Sequence, residues 1–263
     1  MMAMNTILSS LSRSRPDTDD MIILNGGEPT IHPNFYALLR ELQTRFPSEI
    51  VVYTNGIALN PSKLQRAQNT FFVIPIHGLE AEHDNITQTV GSFQHTIRKL
   101  HLFNQNGVRY KIKFILNETM VSKGFQIKKF LAVHRLTPEE IMIARLNRTK
   151  KSEINHVLLP QEKDLITYIR DQVAKLKTDY KIKFLDIPPC WVCGADRIAE
   201  KENEIPKFYF NDPNNEMQSR SYYKEVMMGS NCNACEWRQA CSVMKNSYLT
   251  LSLHREDFQL ERE

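Results

Sequence analysis

Apolar positions along this chain fall into short runs separated by helical stripes. Met21-Ile22-Ile23-Leu24 is a run too short for a helix and reads as a strand buried on both faces. Phe35, Leu38, Leu39, Leu42 and Phe46 then recur at helical spacing, and Pro47 closes that helix. Ile50-Val51-Val52-Tyr53 is a second strand, ending in the turn Thr54-Asn55-Gly56, whose glycine supplies a positive φ. A short helix over Ser62–Gln68 leads to a third strand, Phe71–Ile76. Its Pro75 lies near the end, where a missing N–H matters least. After His77-Gly78, Ser92 caps a helix bearing Phe93, Ile97, Leu100 and Phe103, and Gly107 stops it. Val108–Leu116 alternates apolar with basic and predicts a fourth strand with one wetter face. A helix over Phe125–His134 precedes a fifth strand, Ile141–Leu146. Leu165, Ile166, Ile169, Val173 and Leu176 mark a further helix. At the start, Ile7, Leu8 and Leu11 give Ala3–Arg13 one amphipathic face, followed by a polar loop to Asp20.

Strand and helix therefore alternate, which predicts an α/β fold with a βα-repeated parallel sheet or barrel. Five strands in this part are too few for an eight-stranded barrel. No internal repeat or low-complexity segment interrupts the pattern. After Tyr180 the character changes. Lys181–Asp186 reads as a strand, and Ile187-Pro188-Pro189-Cys190 opens a loop-rich, helix-poor tail. The boundary is placed between Leu176 and Asp186, dividing the chain into 1–180 and 181–263.

Composition narrows the class. With 263 residues, 41% of them hydrophobic and 24% charged, the chain has the make-up of a globular protein. Its net charge of +4 is spread out; Lys111, Lys113 and Lys150-Lys151 read as solvated faces, and no nucleic-acid partner is expected. No stretch approaches the roughly 18 consecutive apolar residues of a membrane span. The first residues lack a charged start followed by an apolar core, so no signal peptide is read there. The expected location is cytoplasmic. All five cysteines lie beyond residue 189, and in a reducing compartment such a cluster argues for metal rather than disulfides.

Two stretches carry candidate chemistry. Gly26-Gly27-Glu28-Pro29-Thr30 follows the first strand. Glycines let backbone approach a ligand, Glu28 puts a carboxylate at the strand end, and Pro29 fixes the outgoing direction. Parallel α/β proteins build ligand sites at such strand ends, although an ordinary strand-to-helix turn has the same look. The second stretch is Cys232-Asn233-Ala234-Cys235, followed after five residues by Cys241. Its two-residue knuckle lets two thiolates grip one centre, zinc or an iron–sulfur cluster. Upstream, Cys190-Trp191-Val192-Cys193 offers two candidates for the fourth ligand. A zinc ribbon would pair the two knuckles, but the 38 residues between them exceed the usual 15–20 or so and leave Cys241 idle.

Taken in order, these pieces resemble the radical S-adenosylmethionine (radical SAM) superfamily, in particular members with an auxiliary cluster in a twitch or SPASM-like tail. The residues that carry the resemblance begin with Gly26-Gly27-Glu28-Pro29-Thr30, Thr54-Asn55-Gly56 and Ile76-His77-Gly78 with His83-Asp84. They continue with Gly91-Ser92-Phe93, Ile115-Leu116-Asn117, and Pro189-Cys190 with Cys-x2-Cys-x5-Cys. The resemblance implies a partial (β/α)6 barrel plus a small cysteine-rich C-terminal domain. It implies that Gly26, Gly27 and Glu28, with Pro29 shaping the turn, hold the amino group of S-adenosylmethionine. It places Thr54, Asn55 and Asn117 at strand ends facing the same pocket, and Arg145 against the methionine carboxylate. It assigns Cys190, Cys232, Cys235 and Cys241 to an auxiliary 4Fe-4S cluster, with zinc as the alternative metal and Cys193 as the rival ligand. His32, His77 and His83 read as structural.

Two departures from the family pattern matter. Pro75 stands where many relatives carry a polar residue, and the defining C-x3-C-x2-C motif is absent, since no cysteine precedes Cys190. That motif holds the cluster whose open iron binds and cleaves S-adenosylmethionine, so radical generation is not expected from this chain alone. The expected barrel lacks its first strand, which would leave Met21–Leu24 as an unpaired apolar edge. A fragment is favoured over a degenerate homologue. A homodimer or partner subunit would cover the edge. The implied function is that of an iron–sulfur protein related to enzymes that modify peptides or proteins; the rival is a non-catalytic iron–sulfur or zinc protein that binds a peptide or partner.

Overall fold

The protein is seen in a computed structural model that describes residues 3–64, 69–146, 159–185, 187 and 191, and the backbone of 209–211 and 217–219. Six parallel strands form a half-barrel in sequential order: β1 (Met21–Leu24), β2 (Glu49–Tyr53), β3 (Thr70–Ile76), β4 (Tyr110–Leu116), β5 (Glu140–Arg145) and β6 (Ile182–Leu185). The connecting helices are α1 (Met4–Ser14), α2 (Phe35–Arg45), α3 (Glu80–Thr87), α4 (Ser92–Asn106), α5 (Glu118–Ser122), α6 (Ile127–Val133) and α7 (Glu162–Leu176). A separate antiparallel pair joins β7 (Tyr209–Asn211) to β8 (Met217–Ser219). Among the described residues no helix is long and apolar enough to cross a membrane.

Alternation along each strand sorts side chains onto two faces. Ile50 and Val52 of β2, Phe72, Ile74 and Ile76 of β3, and Ile112, Phe114 and Leu116 of β4 point to the helices. They meet Leu38 and Leu42 of α2, Leu100 and Phe103 of α4, and Ile169 and Val173 of α7 in the main core. Each such side chain contributes about 1.5–3 kcal/mol by leaving water. The opposite face holds a smaller cluster of Val51, Val73, Met142, Ala144 and Leu185, with Ile23, Tyr53 and Ile115 against it. Because all six strands run parallel, their C-terminal ends lie along one rim.

The strands read from the sequence stand as strands, and within the strand expected over 181–186 it is Ile182–Leu185 that forms the sixth strand of the same sheet, paired parallel to β5. Four local readings are corrected. Lys111 and Lys113 are not solvated. They alternate onto the inner face, where Lys113 is only 7% exposed, with its ammonium 5.6 Å from the centre of the Tyr53 ring. The Lys111 ammonium lies 4.4 Å from the Phe71 ring, with Glu49 and Glu140 oxygens at 3.4 and 3.6 Å. Ring faces and carboxylates from neighbouring strands take the place of water. Ser92 does not cap α4 but opens it. The Asp84 carboxylate does the capping, accepting hydrogen bonds from Gly91 N (2.6 Å), Ser92 Oγ (2.9 Å) and Phe93 N (2.8 Å).

The helix expected from Ser62 begins as a 3-10 turn, Pro61–Lys63, capped by Asn60 Oδ1, and residues 65–68 fall outside the described residues. Finally, β1 is an edge strand, so only Ile22 is fully buried and Met21 remains 40% exposed. The expected unpaired edge is thus present among the described residues.

Candidate functional site

The rim is organised by Glu28. Gly26 leaves β1 with φ +139°, a conformation that side chains with a Cβ rarely adopt. A Cβ built on Gly26 or Gly27 would meet nothing within 4 Å, so the backbone is open on that side. Glu28 then turns its carboxylate back under the strand ends. Oε1 accepts from Thr30 N at 3.1 Å and from the hydroxyls of Thr30 and Thr54. Oε2 accepts from Asn55 N at 2.8 Å. Charge-assisted bonds of this kind are about twice as strong as neutral ones and fasten β1 to β2. Oε1 is saturated, whereas Oε2 carries one bond and keeps acceptor capacity for a cation. Thr54 Oγ1 in turn accepts from Gly56 N at 2.9 Å, and Asn55 Oδ1 accepts from Ile57 N at 2.9 Å. Pro29 opens the 3-10 turn Pro29–Ile31 that carries Thr30 into place.

Further along the rim, Asn117 follows β4 and is 2% exposed. Its amide is committed to the protein: Nδ2 donates to the His77 carbonyl at 2.7 Å, and Oδ1 accepts from Met120 N at 3.0 Å, capping α5. His77 follows β3, with its ring 5.4 Å from that of His83. His83 Nδ1 accepts from His77 N at 3.3 Å. Burial first, then the nearby His83 and Lys113, hold the His77 imidazole down to about pKa 4, so it is neutral at pH 7. Burial lowers His83 in the same direction. His32 accepts from Asn34 N through Nδ1 at 3.1 Å, just ahead of α2.

Arg145 ends β5 on the same rim. Its guanidinium lies 5.5 Å from the centre of the Trp191 ring, and Trp191 O accepts from Arg170 Nε at 3.0 Å. Gly26, Gly27, Glu28, Pro29, Thr54 and Asn55 are therefore gathered at the ends of β1 and β2. Asn117 and Arg145 lie farther along the same edge, at the ends of β4 and β5. Cys190, Cys193, Cys232, Cys235 and Cys241 lie outside the described residues, as do Lys150 and Lys151. Sequence reasoning placed Thr30 in the motif but gave it no role, although it supplies two of the four bonds to Glu28 and its place two residues after an acid is a recognisable turn pattern. It also gave no role to Trp191.

Residues 10–137 match the family model described as Radical SAM superfamily. No curated protein matches the chain. Among solved structures, native anSMEcpe with bound AdoMet and Cp18Cys peptide is 14% identical with a TM-score of 0.54, over 68% of this chain and 54% of that one. The crystal structure of Streptococcus suis SuiB gives 13% identity and a TM-score of 0.55, over 70% of this chain and 43% of that one. SuiB bound to S-adenosylmethionine gives 14% identity and a TM-score of 0.54 over the same shares, 70% and 43%. The chain thus spans about half the length of these structures or less, and what it shares with them is the fold. Residues 10–137 are thus a radical SAM superfamily domain by the family match, and the half-barrel is the fold shared with these structures.

Proposed function

We propose that this chain is a radical SAM-family iron–sulfur protein that binds S-adenosylmethionine at the rim and acts on, or with, a peptide or protein. The observation that carries this reading is the Glu28 brace, which leaves Oε2 able to accept from an ammonium beside the open Gly26-Gly27 backbone. An ammonium has three donors, and a carboxylate plus backbone carbonyls answer them. Arg145 at the end of β5 would meet the methionine carboxylate. The peptide class is supported by anSMEcpe, whose solved structures hold AdoMet together with Cp18Cys or Kp18Cys peptide.

The tail that follows β6 would form an auxiliary unit in which Cys190, Cys232, Cys235 and Cys241 hold a 4Fe-4S cluster, suited to a reducing cytoplasm. A radical-generating cluster does not fit the residues present, because no cysteine precedes Cys190. No radical step is assigned to this chain on its own. The exposed edge of β1 would be covered by a second copy or a partner subunit.

Anaerobic reconstitution with iron and sulfide tests the metal assignment. The expected product is brown, with absorbance near ~400 nm from thiolate-bound iron. Cys232→Ala should lose it, whereas Cys193→Ala should keep it if Cys190 is the fourth ligand. A colourless protein that takes up zinc alone would overturn the iron–sulfur assignment.

A further inference from the structure

Arg145 presents an unusual arrangement for a cation at a strand end. Among the described residues no carboxylate lies within ion-pair distance of it, and its contact is the face of Trp191, 5.5 Å away. A guanidinium lying on an aromatic face keeps its in-plane N–H groups free, and that edge matches a carboxylate bidentately. Trp191 is itself anchored. Its carbonyl accepts from Arg170 Nε of α7 at 3.0 Å, and its partly buried ring packs against the main core. In sequence Trp191 sits inside Cys190-Trp191-Val192-Cys193, so the residue steering Arg145 belongs to the candidate metal knuckle, not to the barrel motifs.

We infer that Trp191 is a positioning residue: it holds the Arg145 guanidinium at the rim for a ligand carboxylate. The inference rests on the S-adenosylmethionine reading, since the carboxylate in question is that of its methionine moiety. Trp191 touches the ligand only through Arg145. Whatever loosens Trp191 therefore weakens carboxylate binding with it.

The test compares S-adenosylmethionine with its decarboxylated analogue by isothermal titration calorimetry on the full chain. Arg145→Gln should weaken S-adenosylmethionine by about 30-fold and leave the decarboxylated analogue unchanged, because only the carboxylate loses its partner. Trp191→Leu, which keeps bulk but no ring face, should weaken S-adenosylmethionine about five- to tenfold. Trp191→Phe should lose about threefold or less, and Trp191→Leu should add nothing in the Arg145→Gln background. Equal losses for the two ligands in Trp191→Leu, or no loss for either, would overturn the positioning role. Near-ultraviolet circular dichroism distinguishes a variant that has failed to fold, and Trp191→Phe then carries the comparison. If the unaltered protein binds neither ligand, the cofactor reading fails, and this inference with it; binding without discrimination by Trp191 defeats the inference alone.

Discussion

Replacing Glu28 by alanine is expected to lower the unfolding free energy by about 2–4 kcal/mol and to abolish measurable S-adenosylmethionine binding. The carboxylate accepts from four donors, the backbone and hydroxyl of Thr30, the hydroxyl of Thr54 and the backbone of Asn55. Thr30 and Thr54 are buried, so their hydroxyls have no ready replacement in water. Losing the acceptor unfastens the loop after β1 from the loop after β2, and the glycine backbone loses its fixed direction. Glu28→Gln should fall between, since one carbonyl oxygen survives while the charge and the second acceptor do not. Urea denaturation measures the stability change as a shift in midpoint at constant slope. A Glu28→Ala protein within about 0.5 kcal/mol of the unaltered chain would mean that the brace contributes nothing to stability.

Acid should weaken this fold before most carboxylates titrate. His77 is held at about pKa 4 in the folded chain against an ordinary value of 6.5. The unfolded chain therefore binds more protons throughout that interval, and stability rises with pH there. The contribution is fully present above pH 6.5 and is lost as pH falls from about 6.5 towards 4. His77 alone supplies about 2–3 kcal/mol, allowing for the part of its ring that water reaches. Burial of His83 acts in the same direction. His77→Gln should flatten the urea-midpoint profile between pH 7 and pH 4.5, because the replacement does not titrate. Parallel profiles for the two proteins would show that His77 is not the group responsible.

What could be read from the sequence follows the range of the interactions involved. The strands were legible because a run such as Ile50-Val51-Val52 is local and unambiguous. The long helices were legible because Leu165, Ile169, Val173 and Leu176 repeat on one face. Helix α3 was not, since Glu80–Thr87 carries almost no apolar stripe and buries His83 instead. The cap of α4 was misassigned to Ser92 because the real acceptor, Asp84, reaches across from α3, a tertiary contact that a local capping rule does not see. Lys111 and Lys113 alternate visibly, yet whether that face meets water depends on Tyr53, Phe71, Glu49 and Glu140 on neighbouring strands.

At the site, Gly26-Gly27-Glu28 was legible as a motif, and Thr54 as its companion through family order. The hydrogen bond that joins Glu28 to Thr54 spans 26 residues and needed the fold. The same holds for Arg145 and Trp191, which are brought together only once β5 and the segment after β6 are in place.

Hydrogen exchange with and without S-adenosylmethionine tests the central claim most directly, because it reads out where on the rim the ligand sits. Saturating ligand should slow exchange of the backbone amides in Asn25–Thr30 and Thr54–Ile57, and leave the central strands β3 and β4 unchanged. Binding that leaves both loops exchanging as before, or that protects only residues beyond 187, would contradict a cofactor site at the ends of β1 and β2.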